Sequence, residues 1–196
     1  MAVQQRSSAA LRRLIDAAME LERRTMYLYC AFESQFSEVD ELRGFWFDMA
    51  QHESRHFGAL ALVAGLLESA SKRGLRAATA LTPARVRHLR QLLTAFEAEA
   101  GRGVTVERAF EMTLDVESSE IEDVVLDLLQ VLKGEAERER AVKLLIHDLG
   151  DLSYMIEKHT SNPALLERAD HLLEQQLGRL RTKTSAPARR LRRVHG

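Results

Sequence analysis

The sequence predicts an all-α protein: a four-helix bundle made of two helical hairpins with a long crossover, plus a crossover helix and a C-terminal helix. Three observations carry this. The 3 prolines, at 83, 163 and 187, each fall at a segment boundary. The segments between them are rich in Leu, Ala, Glu and Arg, which are good helix formers. No stretch alternates apolar and polar residues for long enough to make a strand.

The elements follow in order. A first helix is expected from about Ser8 to Phe36, and a second from about Val39 to Leu67. "SASKRGLRAATAL" reads as a loop. "TPARVRHLRQLLTAFEAEAG" is a separate helix, with Thr82 as its cap, Pro83 in its first turn and Gly101 just past its end. A third long helix is expected from about Thr105 to Leu132, and a fourth from about Glu135 to His159. Asn162-Pro163 opens a last helix, roughly to Arg181. The main unit is thus expected at 8–160, a C-terminal helix at 161–182, and a basic, mobile tail at 183–196.

Composition narrows the function. Apolar content of 45% and charged content of 29% fit one soluble globular domain, for which 196 residues suffice. A formal net charge of −1 gives no reason to expect nucleic acid or an acidic membrane as the main partner. The single cysteine, Cys30, excludes an internal disulfide framework and any CxxC metal knuckle, so a reducing, cytoplasmic setting is expected. No apolar run reaches the ~18 residues that span a bilayer. "MAVQQRSSAALRR" lacks the apolar core of a signal peptide.

Apolar stripes at helical spacing are the expected core. The first helix offers Leu11, Leu14, Ala18, Thr25, Tyr29, Phe32 and Phe36; the second offers Leu42, Phe45, Met49, Leu60, Val63 and Leu67. Polar residues interrupt them. Glu22 falls between Ala18 and Thr25, and Glu53 and His56 between Met49 and Leu60. Glu117 and Glu120 fall between Thr113 and Val124, and Asp148 and Asp151 between Leu144 and Met155. Burying an unpaired carboxylate costs several kcal/mol, so a cluster of them needs cations. Two divalent metal ions would serve, and carboxylate with imidazole suits iron, with manganese as the alternative. Residues three apart share a helix face, so Glu53 and His56 can reach one ion.

The set also repeats. Shifting by 95 positions carries Glu22 to Glu117, Glu53 to Asp148, His56 to Asp151 and His52 to His147. Two facing hairpins would then form a pseudo-twofold dinuclear site.

At these residues the sequence resembles the ferritin-like superfamily, and within it the rubrerythrin-type diiron domains. The family pattern is Glu, Glu-x-x-His, Glu, Glu-x-x-His on four successive helices. "ELERRTMYLY" with Glu22, "HESRH" with Glu53 and His56, and "LDVESSE" with Glu117 and Glu120 match the first three. The fourth departs: "HDLGD" supplies Asp148 and Asp151 where the family has Glu and His. The family's rubredoxin domain, with its CxxC pairs, is absent.

The resemblance implies a non-haem diiron oxidoreductase, reducing peroxide or dioxygen or oxidising ferrous iron, with an external electron donor and a homodimeric assembly. Glu22, Glu53 and His56 would hold one metal. Glu117, Asp148 and Asp151 would hold the other, with Glu53 and Asp148 or Glu117 bridging and Glu120 as an added or switching ligand. Tyr29 is either a hydrogen-bond donor or redox tyrosine beside the metals, or a core tyrosine. Two alternatives stand beside this: a degenerate bundle acting as a binding or structural protein, its carboxylates held by residues such as Arg23, Arg24 or Arg55, and a diiron hydroxylase of an organic substrate. His52 and His147 read as flanking or surface residues, and Cys30 as a core thiol. Phe45, Trp46 and Phe47 read as packing, and "ARRLRRVHG" as a solvated basic end.

Overall fold

The computed structural model describes residues 2–69, 82–119 and 135–184. Among these residues there are six helices and no strand, as the all-α reading expects. They are α1 (Ala2–Gln35), α2 (Asp40–Ser69), α3 (Pro83–Ala100), α4 (Val106–Glu117), α5 (Glu135–His159) and α6 (Pro163–Thr184). The loop at 70–81, the continuation of the third helix with Glu120, and the tail from 185 lie outside the described residues.

The helix ends have local causes. Thr82 Oγ1 accepts from the Arg85 amide at 3.3 Å with Pro83 in the first turn, and Gly101 closes the far end of α3. Thr105 caps α4 in the same way, accepting from the Arg108 amide at 3.2 Å. Asn162 Oδ1 accepts from the Ala164 amide at 3.1 Å and opens α6. The helix expected from Thr105 to Leu132 is described only as far as Ser119, and there α4 ends at Glu117: Ser118 and Ser119 form a turn, and Ser118 Oγ donates to the Asp115 carbonyl at 3.3 Å. Serine side chains compete for backbone groups in this manner, which disfavours a continuing helix.

Side-chain pairs fix how the helices run. His56 meets Glu22 and Trp46 meets Tyr29, so α1 and α2 are antiparallel. His52 meets Asp148 and Glu41 meets Lys158, so α2 and α5 are antiparallel too. Tyr29 bonds Glu117, joining α1 to α4, and α4 packs on α5 and α6. The contacts therefore close a cycle in the order α1–α2–α5–α4. Outside it, α3 runs parallel to α1: Arg24 makes paired bonds of 2.7 Å to Glu97, and Arg90 pairs with Glu20.

Trp46 anchors one end of the interior. Its ring centroid lies 4.9 Å from Phe32, 4.8 Å from Phe45, 5.4 Å from Phe110 and 5.9 Å from Tyr29. These rings come from α1, α2 and α4, and burying them supplies a large share of the hydrophobic stabilisation. Two sequence expectations change here. Phe47 is exposed and takes no part in this packing, because it lies about 100° round α2 from Trp46. Cys30 is exposed rather than a core thiol. Seven residues from Trp46 along α2, and seven from Tyr29 back along α1, come Glu53 and Glu22. Two helical turns, about 10 Å, thus separate the aromatic cluster from the polar one. Among the described residues no helix is long and apolar enough to cross a membrane.

Candidate metal centre

Glu22 and Glu53 are buried to 1% and 2% exposure at the α1–α2 interface. Their positions follow from the stripes. Glu22 stands one turn from Ala18 and Thr25, both buried, and Glu53 one turn from Met49, also buried. The two carboxyls are close enough to share a hydrogen bond. His56, one turn beyond Glu53, places Nδ1 3.6 Å from Glu22 Oε2 and 3.7 Å from Glu53 Oε2. His52, one turn before His56, is buried as well, and the two imidazole centroids are 4.2 Å apart. His52, Glu53 and His56 each offer one ligand atom within 4.8 Å of the others.

The electrostatics suit a cation. Burial, then the facing charge of Glu22, pushes the Glu53 carboxyl up to about 8. Burial, then the charge of His56, holds His52 down at about 3, so its ring is neutral at pH 7. Ionising Glu53 beside the Glu22 charge in a buried setting is costly, and the proton Glu53 retains is what a metal ion would displace. No Lys or Arg among the described residues pairs with either one. Arg24 turns to Glu97, Arg55 to Gln51, and Arg23 is exposed.

The other two helices place their carboxylates differently. Glu117, the last residue of α4, is buried and accepts from the Tyr29 hydroxyl at 2.7 Å through Oε1. Asp148 on α5 is half-buried, with Oδ2 3.2 Å from His52 Nε2. Burial pushes its carboxyl up to about 6, against the pull of the His147 charge. Asp151 does not join the cluster. Its side chain is 60% exposed and pairs with the exposed His147 at 3.2 Å. The buried face of α5 is Val142, Leu145, Leu149, Leu152, Met155 and Ile156, whereas Leu144 is exposed. Of the expected Leu144–Asp148–Asp151–Met155 stripe Met155 alone is fully buried, and the rest of the buried face is centred one residue, about 100°, away. Asp148 thus falls at its edge and Asp151 in solvent.

His52 moves the other way: expected at the surface, it lies in the cluster. The signal was present in "HESRH", where His52 and His56 are four apart and so share a face.

The donor set fits a transition metal. Nitrogen and oxygen ligands sit at ~2.0–2.2 Å, so neighbouring donor atoms on one ion stand roughly 3–3.5 Å apart. The His52–Asp148 and His56–carboxylate separations are near that span. Glu22 Oε1, His52 Nδ1 and Asp148 Oδ2 are buried atoms without a hydrogen-bond partner among the described residues, a costly state that ligation or proton binding relieves. Comparison with protein-family models, with curated proteins and with solved structures finds no match.

Proposed function

We propose that the protein binds transition-metal ions, iron first and manganese as the alternative, in a ferritin-like four-helix bundle formed by α1, α2, α4 and α5, and uses them in redox chemistry on peroxide, dioxygen or ferrous iron. The observation that carries this reading is the mutual burial of Glu22 and Glu53 beside His56, with no Lys or Arg paired to either among the described residues. The cyclic helix order supports the bundle, and the carboxylate–imidazole donor set supports iron.

Glu22, Glu53 and His56 would hold the first ion. Bound there, the metal supplies electrons and a Lewis-acid position for a small oxidant. The chain's own residues supply the setting. Tyr29 fixes the Glu117 carboxylate through its hydroxyl. Glu53 holds the proton that must leave when the ion enters. Reducing peroxide to water takes two electrons and two protons, and an external donor would supply the electrons.

A second reading, a centre with one ion only, is favoured by the exposure of Asp151, which leaves the second position without its expected ligand. Anaerobic loading with ferrous iron or manganese, followed by peroxide, tests both. Bound iron with peroxide consumption, both lost in Glu53→Ala, is the expected result; one ion per chain selects the second reading. Protein that holds neither metal after loading overturns the proposal.

A further inference from the structure

We infer that His52 and Asp148 form the second metal position, so that α2 supplies the imidazole that α5 lacks. This rests on the metal-binding reading above and extends it to residues that the repeat did not assign as a pair.

The argument starts from α5. Its repeat position offers Asp151 in place of an imidazole, and Asp151 faces solvent against His147. Asp148 stays at the edge of the interior, with Oδ2 buried and 3.2 Å from His52 Nε2. That distance is short enough for a hydrogen bond, yet Asp148 Oδ2 makes none among the described residues, so the two atoms approach without the alignment of N–H to lone pair. Two atoms that point past each other at 3.2 Å have the spacing of adjacent ligands on one ion.

The setting agrees. His52 is 3% exposed, on a helix whose next residue, Glu53, belongs to the first position. Its ring centroid is 4.2 Å from that of His56, the imidazole of the first position. Imidazoles one turn apart on α2 therefore stand between the carboxylates of α1 and those of α5. Glu53 lies between them in sequence and offers a carboxylate oxygen within 4.8 Å of a ring nitrogen of each, within reach of two ions. A hydrophobic residue would pack as well at position 52 if packing were the only requirement; a buried polar ring instead carries a desolvation cost.

Cobalt(II) is the probe, because its visible absorption reports ligand type and number. The full chain is titrated, desalted and assayed for cobalt per chain, beside His52→Gln, Asp148→Ala and Glu53→Ala. The expected result is two ions in the parent and one in both His52→Gln and Asp148→Ala, with a changed spectrum in each. Two ions retained in either variant overturns the inference and leaves the first position intact. One ion in the parent, retained by both variants, also overturns it while the metal-binding reading stands. No cobalt in the parent overturns both. Circular dichroism of each variant excludes misfolding as the cause of a loss. Independently, the zinc-loaded parent is expected to show the His52 Nε2 resonance shifted to that of a metal-bound nitrogen; an unshifted resonance overturns the inference without any variant.

Discussion

The Tyr29 hydroxyl lies 2.7 Å from Glu117 Oε1, a buried bond that ties the C-terminal part of α1 to the last turn of α4. A hydrogen bond to a carboxylate contributes about 1.5–3 kcal/mol. Tyr29→Phe keeps the ring and removes the donor. It is expected to lower stability by about 2 kcal/mol in urea denaturation, with the aromatic cluster around Trp46 retained. Unchanged stability would mean that the hydroxyl does not support Glu117.

Two groups shifted in opposite directions are expected to give the metal-free protein a stability maximum in pH. Glu53 rises from an ordinary 4.5 to about 8, so its contribution is full below about 4.5 and is lost as pH climbs through about 8. His52 falls from 6.5 to about 3, so its contribution is full above about 6.5 and is lost as pH drops through about 3. Glu53→Gln is therefore expected to flatten the alkaline limb, and His52→Gln the acid limb, of a melting-temperature profile taken in chelator.

Metal uptake should release the proton held by Glu53. Between about pH 5 and pH 8, affinity is expected to rise up to tenfold per pH unit and then level. Calorimetric titration in two buffers of different ionisation enthalpy counts the protons released. A count near zero at pH 7 would contradict the proton held by Glu53.

Charge pairs add to the burial of Val86, Leu89, Leu93 and Phe96 in holding α3 to the bundle. Arg24 grips Glu97 through two bonds of 2.7 Å and also donates to Thr94. A double-mutant cycle on Arg24→Ala and Glu97→Ala is expected to give a coupling of about 1 kcal/mol, because the pair is bidentate but reached by solvent. Metal stoichiometry should not change.

The helices were legible because their punctuation is local. Thr82, Pro83, Gly101 and Asn162 act where the sequence places them. The inward placing of Glu22, Glu53 and His56 was legible for the same reason: they interrupt stripes whose other members, such as Ala18, Met49 and Leu60, are unambiguously apolar. The α5 half was not. "KLLIHDLGDLSYMI" offers apolar residues on two adjacent faces, so Leu144 and Leu145 compete for the core. Only packing against α2, α4 and α6 chooses Leu145, and that choice turns Asp151 outward. His52 was passed over because spacing was read as Glu-x-x-His alone. A pair of histidines four apart carries equal geometric weight, and burial of His52 depends on α5 covering it.

The most direct test is a crystal of the full chain grown with manganese(II), with anomalous diffraction collected at the metal's absorption edge. The account requires an anomalous peak within ligand distance of Glu22, Glu53 and His56, between α1 and α2. Manganese bound only elsewhere, or a Glu22–Glu53 pair that remains in direct contact with no peak beside it, would contradict the central claim.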